Sequence, residues 1–258
     1  MQCKLCDNAT REIFKHRVLN KYLITYFSCD TCGLIQTEKP YWLKESYKNP
    51  INSSDTGYAI RNIFFARRTT MIFPLLFGVN KCFLDYAGGY GLLTRLMRDY
   101  GLNFVWADLY TPNLFAQGFT YGKQKITAIT CFECFEHFVS PTEELEKMLI
   151  ISKNIFFSTQ ALPSPVPAPE QWEYYGFSHG QHISFYSIKT LQFLADKYNL
   201  RYYTNGSNLH LFSENKISSI YFKIAIWLSR LPVEFLLKRI FGSRTIIDNR
   251  NLIENDLR

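Results

Sequence analysis

Cys3 and Cys6 form one C-x-x-C pair, and Cys29 and Cys32 form a second, with 22 residues between Cys6 and Cys29. Each such turn points two thiolates at one place. Two turns meeting supply the closed tetrahedral set of a structural zinc ion, with no position left for a reactant. A second set of chemically useful side chains lies far downstream, where His179, Gln181 and His182 follow Trp172, Tyr174 and Tyr175. An imidazole can accept a proton near neutral pH. Aromatic faces beside hydrogen-bonding groups suit a sugar or another polar ring. Between the two sets stands a glycine-rich stretch, Asp85-Tyr86-Ala87-Gly88-Gly89-Tyr90-Gly91, with another acid, Asp108, 23 residues after Asp85.

Each set needs elements to hold it. The segments "EIFKHRV" and "YLITYFSC" are aromatic and β-branched with partial alternation, which predicts two strands between the cysteine pairs. Gly33 suits a turn needing positive φ. Residues 1–37 therefore resemble a rubredoxin-type zinc ribbon with Cys3, Cys6, Cys29 and Cys32 as ligands.

The glycines sit between a short apolar strand, "KCFLDY", and a helix, "GLLTRLMRDYG". The spacing predicts that helix to turn Leu92, Leu93, Leu96 and Met97 to one face, with Gly101 as its C-cap. A strand-to-helix turn lets a ligand approach the backbone and the helix N-terminus. The dinucleotide pattern G-x-G-x-x-G fails because its third position is Thr94. The spacing resembles instead the first motif of class I S-adenosylmethionine-dependent methyltransferases, acid-x-G-x-G-x-G, with Ala87 at the first glycine. That resemblance implies that Ala87, Gly88, Gly89 and Gly91 cradle the methionine end of S-adenosylmethionine. It puts Asp85 near the amino group and Asp108 on the ribose.

Later segments fit the same family. "ITAITCFECFEHF" resembles its fourth strand and the E-x-x-E-H continuation, here Glu133, Glu136 and His137. Ser140-Pro141 with Glu143 and Glu144 opens a helix, and "NIFFSTQ" reads as the fifth strand. The third strand is compressed to "GFTYG". The order implies an α/β, Rossmann-like, doubly wound and mostly parallel sheet over residues 81–213. Residues 38–80 then form a linker and a helical segment covering the cofactor. Their polar middle, residues 49–57, leads into a helix, and Tyr47 and residues 55–58 are expected to line the cleft. Cys82, Cys131 and Cys134 read as packing residues.

"HGQHISFYSIKTL" resembles a segment of the nucleotide-keto-sugar C-methyltransferases, which also begin with a four-cysteine module. His182 falls on their catalytic histidine, His179 on a tyrosine and Gln181 on a glutamate. The layout looks closer to short methyltransferases of polysaccharide biosynthesis, which implies O-methylation of a small-molecule or lipid-linked saccharide. His182 is then the general base, with His179 and Glu133 next in line, and Trp172, Tyr175 and Gln181 contact the substrate. A histidine held by backbone, or a metal bound by His179 and His182, are the other readings of that pair. C-methylation of a keto-sugar nucleotide is the alternative reaction. A non-catalytic zinc-ribbon and Rossmann-like binding module is the alternative class.

The chain has 258 residues, 47% of them hydrophobic, and a net charge of +7. That excludes wholesale disorder. The basic excess is scattered, so no specific nucleic acid is expected. No segment has the order of a signal peptide, and none reaches the roughly 18 apolar residues of a membrane span. A cytoplasmic protein is expected, with the inner face of the membrane as a second location. In the helical tail, residues 214–258, Ile217, Ile220, Tyr221, Ile224, Trp227, Leu228 and Leu231 follow helical spacing beside Lys216, Lys223 and Arg230. This stripe predicts either packing against the domain or a second subunit, or a basic amphipathic contact with a membrane surface.

Overall fold

The computed structural model describes residues 1–48 and 55–256. Most of the polar loop expected over residues 49–57 lies outside the described residues. In chain order the elements begin with β1 (Arg11–Val18), β2 (Tyr22–Ser28), β3 (Ile35–Thr37), α1 (Leu43–Ser46) and α2 (Tyr58–Phe77). Next come β4 (Cys82–Tyr86), α3 (Leu92–Asp99), β5 (Asn103–Ala107), β6 (Ala128–Cys131), α4 (Pro141–Ile151) and β7 (Ile155–Ser158). Then follow β8 (Ser184–Phe185), α5 (Ile188–Lys197), β9 (Arg201–Thr204), β10 (Leu209–Ser213), α6 (Ser219–Leu228), α7 (Glu234–Phe241) and α8 (Thr245–Asp256). The chain packs as two units, one of Met1–Ser53 with Phe132–Asn215, the other of Ser54–Cys131 with Lys216–Arg258.

In the first unit β1, β2, β3 and β8 form an antiparallel sheet in that order. Ile24 and Tyr26 of β2 point inward at a period of two. They join Val18, Ile35, Trp42, Trp172, Tyr175 and Phe185 in one apolar core. The pairing of β3 with β8, Ile35 opposite Phe185 and Gln36 opposite Ser184, ties the cysteine module to the segment carrying His179 and His182. β7, β10 and β9 pair antiparallel. All four residues of β7 are buried, and so are all five of β10. α4 starts with Pro141 at its first turn, and α5 with Ser187, whose hydroxyl accepts from the Thr190 amide.

In the second unit β5, β4 and β6 pair in parallel, with Asp85 opposite Trp106 and Thr130. The expected third strand is a single bridge between Trp106 and Thr120. In α3 the buried residues are Leu93, Thr94, Met97 and Arg98. The buried face is thus turned from the predicted one: Leu92 and Leu96 are only half-buried, because Arg98 goes inward to a partner in α8. Its guanidinium donates to both Asp248 oxygens, at 2.8 and 2.7 Å, to Asn103 and to the Phe104 carbonyl, and lies 3.6 Å over the Phe119 ring. Burial alone would push Asp248 up, but Arg98 and Arg95 hold it below the usual carboxylate range.

α6 buries Phe222, Ala225 and Ile226. Ile220, Tyr221, Ile224, Trp227 and Leu231, expected either to pack or to meet a membrane surface, are exposed. The spacing is helical as expected, but the smaller neighbouring face is the one that fits against α2. Among the described residues no helix is long and apolar enough to cross a membrane.

Candidate active site

The glycine turn after β4 is shaped by its neighbours. A Cβ on Gly88 would stand 2.6 Å from Asp85 Oδ2 and 2.9 Å from the Trp106 ring, so only glycine fits there. Ala87 holds a left-handed φ of +54°, the conformation a glycine takes without strain. The Gly89 amide donates to Asp108 Oδ2 at 3.0 Å, and the Gly89 carbonyl accepts from Trp106 Nε1 at 2.8 Å. Asp108 Oδ1 accepts from the amides of Tyr110 and Thr111 at 2.7 and 2.9 Å. The half-buried Asp108 carboxylate is therefore fixed from both sides, and its Oδ2 keeps a lone pair for a hydroxyl donor.

Asp85 has protein partners of its own. It is buried and accepts from the hydroxyls of Thr94 and Thr130, both at 3.1 Å. Burial pushes it up to about 7 despite those two hydroxyls. Its carboxylate braces the turn through Thr94 and Thr130, which the sequence pattern does not flag. Tyr58, at the start of α2, brings its hydroxyl within 3.2 Å of where a Gly89 Cβ would be. Asp55 pairs with Arg61 at 2.6 Å.

In the first unit the loop after β7 and the turn before α4 bring together His137, His179, His182, Glu136 and Tyr174. His182 Nδ1 lies 2.6 Å from the Tyr174 carbonyl. A carbonyl can only accept, so Nδ1 carries the proton and Nε2 is bare. Burial, then the neighbouring His137 and His179, holds His182 well below the usual imidazole range, so the ring is neutral. His137 Nδ1 lies 3.1 Å from the Gln181 carbonyl and 2.9 Å from the Tyr47 hydroxyl, and burial lowers it to about 4. The ring centroids of His182 are 4.9 Å from His137 and 4.7 Å from His179. A Cβ at Gly176, whose φ is +64°, would meet the His179 ring at 2.4 Å. Glycine there is what lets the rings gather.

Glu136 follows β6 and is fully buried, with neither carboxylate oxygen hydrogen-bonded. The Tyr174 and Thr159 hydroxyls near it bond each other at 3.2 Å. Burial, and then Glu133, pushes Glu136 up to about 8. Glu133 sits at φ +53° and accepts from Ser158 at 2.6 Å. The expected aromatic contacts are used elsewhere: Trp172 and Tyr175 belong to the apolar core, and the Tyr175 hydroxyl donates to the Pro167 carbonyl. Gln181 donates to the Ser46 carbonyl. Cys131 is buried, and the Cys134 thiol donates to the Phe132 carbonyl.

The four N-terminal cysteines fit a metal. Cys3 and Cys32 sulfurs are 3.4 Å apart, and those of Cys6 and Cys29 3.5 Å. All four lie within 4.8 Å of one another, and no cysteine is in a disulfide. A disulfide needs about 2.05 Å, whereas zinc–sulfur bonds of about 2.3 Å set tetrahedral edges near 3.7 Å. The Cys32 thiol pulls Cys3 down, while Cys3 and burial push Cys32 up, so the thiols share their protons as one set. At φ +79°, Gly33 directs its amide to the Cys29 carbonyl at 2.8 Å.

No curated protein matches the sequence. Among solved structures, the chain is similar to CalO1, a methyltransferase in calicheamicin biosynthesis in its SAH-bound form. Identity is 11% and the TM-score 0.45, covering 67% of this chain and 61% of that one. It is similar to the plantazolicin methyltransferase BpumL in complex with SAH, with 15% identity, a TM-score of 0.47, and 69% and 95% coverage. For the mitomycin 7-O-methyltransferase MmcR the values are 10%, 0.47, 67% and 60%. At these scores they bear on neither substrate nor mechanism. A family model described as "Methyltransferase domain" matches residues 60–205, more than half of the chain. With its α/β fold and mostly parallel central sheet, the chain belongs to that methyltransferase-domain family.

Proposed function

We propose that this methyltransferase O-methylates a saccharide in glycan biosynthesis. The observation that carries the reading is His182: a neutral imidazole with Nδ1–H held by the Tyr174 carbonyl and a bare Nε2. Methyl transfer to a hydroxyl forms a C–O bond as the C–S bond breaks, and the electron pair stays on sulfur. The hydroxyl proton must leave, and His182 Nε2 takes it. Alignment and dehydration of the two reactants supply the rest of the rate. His179 and Glu133 stay the next candidates for the base. The resemblance of "HGQHISFYSIKTL" to sugar-modifying enzymes supports a saccharide acceptor, and Gln181 is its remaining expected contact. On the cofactor side, Ala87, Gly88, Gly89 and Gly91 form the cradle, and Asp108 holds the ribose.

Cys3, Cys6, Cys29 and Cys32 hold a structural zinc ion in this reading, whose binding energy is folding energy. The exposed Ile220, Ile224 and Trp227 beside Lys223 and Arg230 suit contact with an anionic membrane surface at the cytoplasmic face, where a lipid-linked acceptor would lie. Candidate glycans incubated with cofactor labelled in the methyl group test the reaction. A base-stable methyl ether on a sugar oxygen is expected. Label on a sugar carbon would replace this reading with C-methylation of a keto-sugar. Asp108→Ala should weaken S-adenosylhomocysteine binding roughly tenfold to a hundredfold, the worth of one or two charge-assisted hydrogen bonds, read by calorimetry. Cys6→Ser should lower zinc content and melting temperature together. Full metal occupancy in that variant would contradict the ligand set.

A further inference from the structure

We propose that Glu136, His137 and His182 form a second metal site, for a transition-metal dication of the zinc or iron type. One ligand atom from each lies within 4.8 Å of the others. A tetrahedral zinc with bonds of about 2.1 Å needs edges of about 3.4 Å, so rotamer adjustment closes the set. Two imidazoles with one carboxylate leave coordination positions open, as metal centres that bind small molecules do. An all-oxygen preference rules out magnesium and calcium for this donor set.

Three further observations converge on the site. Both histidines have Nδ1 against a backbone carbonyl, Gln181 for His137 and Tyr174 for His182. Metal-ligating histidines are held in this way: the outer nitrogen is fixed by a carbonyl and the inner one is presented bare. Glu136 is fully buried with both oxygens unpaired. A buried carboxyl without a partner has given up its hydrogen bonds to water for nothing in return, and a dication supplies what is missing. Finally, both imidazoles are only half-buried, so an ion can reach them while the carboxylate behind stays dry. The contrast with His210 is informative. That ring is fully buried, Nδ1 meets Tyr202 and Thr204 and Nε2 meets the Thr159 carbonyl, so nothing is left to bind.

Binding at this site does not depend on the methyltransferase chemistry. Its consequence does, and there it rests on the reading above: metal and acceptor proton compete for the same His182 Nε2. Filling the site should slow methyl transfer in proportion to occupancy.

The test is a Co2+ titration of the full chain purified without metal. The first equivalent should give the intense charge-transfer absorption of a thiolate site. A second should give the weak visible bands of nitrogen and oxygen ligands. Glu136→Gln and His182→Gln should each lose the second equivalent and keep the thiolate signal, which also reports that the variant has folded. His179→Gln should bind both. A wild type that stops after the thiolate site overturns the proposal, and so do variants that still take up the second equivalent. Should both variants fail to fold, 15N-histidine spectra of the wild type decide. Added Zn2+ should shift the Nε2 signals of two of the five histidines, and no shift overturns the site. Second-site binding in a protein that transfers no methyl group under any condition would leave the metal site standing and remove the proposed reaction.

Discussion

The glycine turn of the second unit and the histidine cluster of the first handle polar groups in opposite ways. At the turn each group is answered within the protein: Asp85 by Thr94 and Thr130, Asp108 by three amides, and Trp106 by the Gly89 carbonyl. In the cluster the answering is partial. Each imidazole has one nitrogen fixed, and Glu136 has none of its oxygens paired. A turn that cradles a bound molecule gains from being rigid before that molecule arrives. A cluster that exchanges protons or ions must keep atoms in reserve, and it keeps them at a cost in stability.

The largest expected effect sharpens this contrast. His182→Ala should lower the single-turnover rate roughly a hundredfold or more, the usual loss with a general base. S-adenosylhomocysteine affinity should stay near that of the wild type. A rate that survives would move the role to His179 or Glu133, and an affinity that collapses with the rate would mean a damaged fold. Gly88→Ala attacks the other region. Its Cβ would stand 2.6 Å from Asp85 Oδ2, so the turn must shift. Overpacking of this kind costs about 1–3 kcal/mol, and it should appear as a lower midpoint in urea together with weaker cofactor binding. An unchanged midpoint would show that the turn is looser than its contacts imply.

A smaller effect separates a satisfied histidine from an unsatisfied one. Burial lowers His210 to about 4, although the Thr159 carbonyl opposes the shift. A depressed imidazole stabilises the fold fully above its unfolded pKa of about 6.5 and loses that contribution as pH falls toward 4. His210 thus accounts for up to about 3 kcal/mol of acid-induced loss in that window, at about 1.4 kcal/mol per pH unit. His210→Gln should be less stable at pH 7 and flatter between pH 6.5 and 4, as read from denaturation midpoints across that range. A variant with the wild-type slope would place the acid sensitivity in other groups.

What can be read from the sequence follows the same divide. The glycine turn is local: its strand, glycines and helix lie within twenty residues, and their types alone report the geometry. The cysteine pairs are legible because each is its own short turn. The work of Asp85 is hidden because its partners are two threonines, residues with many ordinary uses. Trp172 and Tyr175 look like ligand contacts because an aromatic residue in a polar loop reads the same whether it faces solvent or the core. Glu136 is visible only as part of a motif, since its burial and its histidine neighbour 46 residues on depend on pairings no short window contains. The stripe of α6 has the expected period but not a readable partner, because period does not say which side a neighbour will cover.

The Arg98–Asp248 pair has a consequence for how the protein is made. The two residues are 150 apart in the chain, yet each is the other's main charge partner in a buried site. On the ribosome, the helix behind the cofactor turn is synthesised with a guanidinium that has no counterion until α8 follows. The second unit therefore cannot complete its packing until α8 has been made. A nascent chain halted anywhere between α3 and α8 would leave the Arg98 guanidinium beside Phe119 without its carboxylate partner, a charge placed for burial and uncompensated.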